Sequence, residues 1–266
     1  MSYEMIRAER DGDVLVITLN RPERLNAAPP AMFDEITHAL DHLDGARAVL
    51  ITGEGRAFCS GADLAGRGGP GNVSGGDVSS GERARLSLAN HYNPLMTKLS
   101  QLPVPVVSAV NGAAAGIGCS LALAADFCVA GEGGYFLQAF VNIGLVPDGG
   151  ASWMLTRLVG KARATEMMLL GERVHGPKAA AWGLIYSCVP DAVLMEEASA
   201  LAHRLAAGPT LALGLMRQGI ATALEAGYAA ALAGEAERQA KAADSADAVE
   251  GAMSFLQKRK PAFKGA

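Results

Sequence analysis

Asp148 is the acidic residue whose setting most suggests chemistry. It lies in Leu145-Val146-Pro147-Asp148-Gly149-Gly150, between a proline and two glycines, ahead of a helix signal. A carboxylate so placed has two readings, a general acid–base at a pocket floor or an N-cap for the helix that follows. Upstream, Asn111-Gly112-Ala113-Ala114-Ala115-Gly116-Ile117-Gly118-Cys119-Ser120-Leu121 reads as a strand end, a glycine-rich turn and a helix start. Exposed N–H groups at such a turn hold an oxyanion or another anion; the alternative is tight helix packing with no ligand. A dinucleotide-binding turn is ruled out by spacing, because Leu121 stands where the third glycine would be. Further upstream, Ala57-Phe58-Cys59-Ser60-Gly61-Ala62-Asp63-Leu64 offers a second backbone donor at Gly61-Ala62. Two N–H donors and one carboxylate suit enolate chemistry: the donors hold the developing oxyanion while the carboxylate moves a proton.

Other reactive residue types fit worse. Ser60 is outside a Gly-x-Ser-x-Gly elbow, so a serine hydrolase is a poor fit. Cys59 has no histidine near it in sequence and reads as a core thiol, and Asp63 reads as a turn acceptor. His38 and His42 share a helix face at i, i+4, but no third ligand accompanies them, so no metal site is expected. His91, His175 and His203 stand alone. The four cysteines include no Cys-x-x-Cys pair and suit reduced thiols in a cytoplasmic protein.

The elements that must carry these residues follow from patterning. Half of the 266 residues are hydrophobic and the net charge is −4, which fits a large core and disfavours nucleic acid as a partner. No signal peptide is evident, and Ala113–Ala125 is too short for a membrane span. A hairpin is expected over 3–9 and 14–19 around Asp11-Gly12, and a helix from Pro29-Pro30 to about 43, with Phe33, Ile36, Leu40 and Leu43 on one face. A strand at 48–51, a helix at about 83–101 stopped by Pro103 and Pro105, a strand at 104–110 and a helix at 115–125 follow. This alternation argues for α/β with parallel strands. Residues 66–81, rich in Gly, Ser and Asn, read as a mobile loop suited to a substrate lid. After about residue 190 only helices are signalled, at 193–207, after Gly208-Pro209, and at 227–242 and 245–258. The chain is therefore divided into a core, 1–192, and a helical C-terminal region, 193–266.

Four motifs stand in order: Asn20-Arg21-Pro22-Glu23-Arg24-Leu25-Asn26, the 57–64 segment, Ala109-Val110-Asn111-Gly112 with Gly116-Ile117-Gly118, and Gly144–Gly150. Together they resemble the crotonase (enoyl-CoA hydratase/isomerase) superfamily over essentially the whole chain. His91-Tyr92-Asn93-Pro94-Leu95, Leu145–Asp148 and the Lys-Arg-x-Pro-x-Phe-x-Gly ending look most like its ring-epoxide isomerase branch, the 1,2-epoxyphenylacetyl-CoA isomerases of phenylacetate degradation. The resemblance implies an α/β fold, a spiral of ββα units with a C-terminal helical trimerisation region, and a homotrimer or a hexamer made as a dimer of trimers. It implies acyl-CoA thioesters as substrates, with coenzyme A as part of the substrate and no metal or redox cofactor. Carried over, the oxyanion hole is the N–H of Ala62 and of Ile117. Coenzyme A would lie on Arg24, Leu25, Asn26, Gly61 and Asp63, helped by Phe255 and Lys258, while Ser120, Phe140 and Trp153 line the pocket.

The departures matter most. The two glutamates with which hydratases of this family handle water fall on Ser120 and Phe140, and Asp148 falls where isomerases keep their catalytic aspartate. The expectation is thus an acyl-CoA isomerase that shifts a double bond, or rearranges a ring epoxide, through an Asp148 proton shuttle. The alternatives are an enoyl-CoA hydratase in which Asp148 works with Glu132 or a water, and a non-catalytic acyl-CoA-binding protein. RNA binding is disfavoured by the acidic balance.

Overall fold

The computed structural model describes residues 3–63 and 78–266. Most of the glycine-rich segment expected as a lid, 66–77, lies outside the described residues. β1 (Ile6–Asp11) and β2 (Val14–Leu19) form the expected hairpin, linked by Gly12 and Asp13, with Gly12 at φ +57°. α1 (Pro30–Asp41) starts at the proline pair and buries Met32, Phe33, Ile36 and Leu40.

A strand–strand–helix unit then repeats. The first unit is β3 (Ala48–Gly53), β4 (Ala57–Cys59) and the helical stretch α2 (Ser80–Ser87) and α3 (Asn93–Gln101). The second is β5 (Val106–Val110), β6 (Ala113–Ala115) and α4 (Ile117–Leu123). The third is β7 (Phe127–Gly131), β8 (Tyr135–Leu137) and α5 (Ala151–Leu158). Next come α6 (Gly160–Leu170), β9 (Val174–His175), α7 (Gly176–Ala181) and β10 (Ser187–Val189). The first strand of each unit enters a sheet ordered β1-β2-β3-β5-β7-β10, and the second a smaller sheet ordered β4-β6-β8-β9. Pairing is parallel except at β1–β2 and β8–β9. β3 and β5 are buried along their whole length, as both-face burial of a parallel sheet requires.

The short second strands correct the sequence reading, which carried Ala115 into the helix. Three residues of alanine character, as in β6, give neither β-branching nor alternation to read. What makes them possible is glycine between the paired strands. A Cβ on Gly53 or Gly112 would overlap the carbonyl oxygen of Ala57 or Arg56, so these two crossings from one sheet into the other need glycine.

The helix expected at 83–101 is also modified: Leu88–Tyr92 forms a π turn between α2 and α3. Pro94 is the physical cause, since it lacks an N–H and its ring crowds the carbonyl four residues back.

C-terminally lie α8 (Leu194–Ala206), α9 (Thr210–Ala223), α10 (Tyr228–Ala243) and α11 (Ala246–Leu256). The division expected at residue 193 rests on composition. Leu194, Ala198, Leu201, Ala202 and Ala206 of α8 pack on Val14, Leu50, Val107, Ala109 and Val129, so α8 completes the core. α9 is tied to the core by Arg217, which bonds Asp126 at 2.6 Å and Leu99 O at 2.8 Å, and Gly214 abuts Pro103. α10 buries no side chain in the isolated chain, and Leu232, Val249, Met253, Phe255 and Leu256 are exposed. No helix among the described residues is long and apolar enough to cross a membrane.

The last residues fold back over α11. Buried Asp247 accepts bonds from the N–H groups of Lys264 and Gly265, both at 2.7 Å. Glu250 accepts a forked pair from Arg259, 2.5 and 2.7 Å, and the Ala262 N–H at 2.8 Å. These bonds hold the Glu250 carboxyl down at about 2 from an ordinary 4.5, the Arg259 bond contributing most. A carboxyl lowered on folding stabilises above its unfolded pKa, and that contribution fades as pH falls from about 4.5 to about 2. In urea unfolding across that window, Glu250→Gln is therefore expected to lose less stability with acid than the wild type. An identical slope would show that the tail clasp is not electrostatic.

Candidate active site

Three turns converge at one end of the small sheet. The first is the Ser60–Asp63 segment after β4. It forms a parallel bridge with Ala28: the Ala28 N–H donates to Gly61 O at 2.8 Å, and Ala28 O accepts the Asp63 N–H at 3.2 Å. The residue between them, Ala62, has its N–H on the other side of that bridge. The second is the Gly116 turn. Gly116 takes φ +53° and ψ −127°, a conformation closed to L-residues, and its N–H donates to Leu137 O. α4 begins at the next residue, so the Ile117 N–H belongs to a first helical turn whose donors have no intrahelical acceptor. The third is Pro147–Gly150, with Gly149 at φ +59° and Gly150 at φ +81°.

These turns touch through their glycines. A Cβ on Gly116 would lie 3.8 Å from Gly61 Cα and 3.6 Å from the Phe140 ring. A Cβ on Gly149 would strike the Ile117 side chain and come within 2.9 Å of Ser120 Cβ. Gly61 and Phe140 therefore adjoin the Gly116 turn, and Ile117 and Ser120 adjoin the Asp148-Gly149 turn. The Ser120 hydroxyl donates to the backbone carbonyl of Asp148 at 3.0 Å, which ties α4 to the third turn. Phe140 is 8% exposed, and its ring occupies the space over Gly116. The N-cap of α5 is Gly150, two residues past Asp148. Asp148 is half-buried, and its Oδ1 is out of contact with solvent. Trp153, in the first turn of α5, carries the Arg157 guanidinium 4.1 Å above its ring and is 38% exposed.

Arg24, Leu25 and Asn26 form a tight turn in which Leu25 and Asn26 take φ +51° and +54°. The wholly buried Asn26 side chain donates to Glu54 O and Ala57 O and accepts the Arg21 N–H at 2.8 Å. Its amide is thus committed to backbone, and its part in any ligand contact is to shape the turn. Asp63 is 8% exposed and pairs with Arg21 at 3.0 Å and Arg24 at 3.5 Å. Its carboxylate therefore gathers two guanidinium groups beside Ala62. Sequence reasoning named Arg24 and passed over Arg21, though the Arg-x-x-Arg spacing across the proline turn was the available signal.

Phe255 and Lys258 are both exposed and lie on or just past α11. The contacts of that end of the chain run to α10, Arg47 and Thr210, so one subunit does not bring them to the Gly61–Asp148 cluster by any of these contacts. Lys258 closes α11 with φ +53°, a place usually taken by glycine. Glu132 stands in the turn after β7, its N–H on Val189 O. Burial, then the carboxylates of Glu132 and Asp191, raise the Cys188 thiol. Burial pushes Cys59 up to about 11 and both Cys119 and Cys128 up to about 12, which makes them poor nucleophiles. His38 and His42 stack at 4.4 Å, with Tyr3 Oη 3.0 Å from His38 Nδ1, and no metal-type cluster of three or more ligands occurs among the described residues.

The family model described as enoyl-CoA hydratase/isomerase matches residues 9–266. The chain belongs to that family. It is 44% identical over its full length to a "Probable enoyl-CoA hydratase" of Rhodobacter capsulatus, all of which is covered. It is 40% identical to the 1,2-epoxyphenylacetyl-CoA isomerase of Escherichia coli K12, covering 98% of this chain and 99% of that one. Among solved structures it is similar to an enoyl-CoA hydratase from Polaromonas sp. JS666, with TM-score 0.87 and 32% identity over 97% of this chain and 99% of that one. The fold is thus the family's crotonase fold, two sheets built from repeated ββα units with helices closing the C-terminal end. Because the Asn26 amide holds three backbone groups of the turn facing the site, Asn26→Ala is expected to destabilise the protein by about 3 kcal/mol in urea unfolding. A loss below about 1 kcal/mol would show that the turn stands without it.

Proposed function

We propose that this member of the enoyl-CoA hydratase/isomerase family is an acyl-CoA isomerase working by a single-aspartate proton shuttle. The observation that carries the reading is what accompanies Asp148. Ser120, a weak acid, donates to the Asp148 backbone, and Phe140 fills the neighbouring space with a ring that excludes water. Asp63, next to Ala62 in sequence, is held by Arg21 and Arg24.

In this mechanism the thioester carbonyl lies between the N–H groups of Ala62 and Ile117. Asp148 takes a proton from a carbon beside, or conjugated to, that carbonyl. The electron pair moves onto the carbonyl oxygen, where the two donors stabilise it; losing one such donor costs about 3–4 kcal/mol. The protonated Asp148 then returns the proton to another carbon as the enolate collapses, so the double bond moves and the mass is unchanged. With a ring epoxide the same enolate-stabilising site assists ring expansion. None of these steps calls on a metal or a redox group, and coenzyme A acts only as the handle. Its phosphates suit the two guanidinium groups gathered by Asp63, with Phe255 and Lys258 supplied by a neighbouring subunit. A homotrimer or a dimer of trimers accounts for the exposed apolar side chains of α10 and α11. Strongly raised core thiols suit a reducing cytoplasm.

The hydratase reading is favoured by one observation, the 44% identity to the "Probable enoyl-CoA hydratase". Turnover of 2-enoyl-, 3-enoyl- and dienoyl-CoA thioesters in H₂¹⁸O, read by mass spectrometry, separates the two. The expected result is isomers of unchanged mass, with the rate falling about 10²–10⁴-fold in Asp148→Asn. Labelled oxygen in the wild-type product would establish hydration and overturn the isomerase reading.

A further inference from the structure

The motif His91-Tyr92-Asn93-Pro94-Leu95 has no place in the mechanism above, yet its geometry leads to the site. Leu88–Tyr92 is a π turn, closed by a bond from the Asn93 N–H to Leu88 O, five residues back. Pro94 removes a helical donor and crowds the Asn90 carbonyl, and the widened turn relieves both. The extra residue changes which side chains face inward: Tyr92, Leu95 and Leu99 share the buried face of the following helix.

Two successive residues of the π turn then grip the start of α1. The His91 ring lies 2.8 Å from the Asp34 carboxylate. Tyr92 is 1% exposed, packs edge-on against Phe33 with ring centroids 4.7 Å apart, and its Oη donates to Ala28 O at 2.9 Å. That carbonyl is the one that also accepts the Asp63 N–H, while the Ala28 N–H donates to Gly61 O. The phenol is therefore one hydrogen bond away from the two bonds that set the peptide planes on either side of Ala62. A tyrosine satisfied anywhere in a core would suffice for packing; this one is bonded to the residue that pairs with the proposed oxyanion donor.

We propose that Tyr92 is a positioning residue: through Ala28 its hydroxyl holds the Gly61–Asp63 segment so that the Ala62 N–H points at the thioester oxygen. The inference rests on the oxyanion-hole reading of Ala62 and deepens it. Phenol and carbonyl make a fixed, water-excluded link, and a donor aimed before the reaction stabilises developing charge better than one that must be reoriented. Without the hydroxyl, Ala28 O keeps the longer Asp63 bond alone, and the Gly61–Asp63 segment is freer to tilt.

Tyr92→Phe removes one oxygen and keeps the ring on Phe33. A chromophoric cinnamoyl-CoA thioester reports on the donor, because its absorbance moves to the red as its carbonyl is polarised. The expected result is a kcat about tenfold lower, as for loss of one buried hydrogen bond, with KM within about twofold and a smaller red shift on binding. The spectrum reads only folded, ligand-bound protein, so it stands even if the variant is less stable. A full red shift with unchanged kcat, or lowered stability with no spectral change, would overturn the proposal and make Tyr92 a packing residue. A wild-type protein that gives no red shift would overturn the oxyanion reading of Ala62 and the Tyr92 proposal with it.

Discussion

Backbone meeting backbone without a side chain between them is the constraint on which this structure depends. Gly53 and Gly112 let the first two units fold from the large sheet into the small one, because a Cβ at either would overlap a carbonyl oxygen at or just before β4. Gly61 and Gly116 then bring two turns within van der Waals reach, and Gly149 seats the Asp148 turn on Ile117 and Ser120. Repetition of one unit explains the result. Each ββα repeat delivers a turn at the same end of the small sheet, so donors and carboxylate from distant parts of the chain come together. A parallel sheet must bury its connections, and here the connections are where the chemistry is proposed to lie.

Charge is organised around the same turns. Asp63 sits next to Ala62 in sequence and is nearly buried, which would be costly alone; Arg21 and Arg24 offset it and leave a net positive charge beside Ala62. Nearby, Phe140 is buried and the Ser120 hydroxyl is turned to backbone. The ion cluster of Asp63, Arg21 and Arg24 and the apolar surroundings of Phe140 are different electrostatic environments.

The C-terminal helices follow another logic. α8 belongs to the core by its packing, although its composition resembles that of α9–α11. α9 is held by the half-buried Arg217, the tail by Asp247 and Glu250, while α10 presents apolar side chains to solvent in the single chain. Exposed apolar side chains of this kind mark an interaction surface.

Periodicity and punctuation alone determined much of this protein: the hairpin, α1 from its proline pair, the largely apolar β3 and β5, and the C-terminal helices, each within a few residues. The order and spacing of the motifs also led to the family. The short strands β4, β6 and β8 were not legible, because three residues carry no period and their existence depends on a partner strand. The π turn was hidden for a related reason: Pro94 signals a break, but how the helix absorbs it depends on Ala28 and Asp34, more than fifty residues away. Only the tertiary structure decided that the Asn26 amide serves backbone groups, that Asp63 gathers Arg21 as well as Arg24, and that Tyr92 reaches the residue paired with Ala62. Sequence fixes which chemistry the side chains carry; which groups they meet is set by close approaches that no local pattern records.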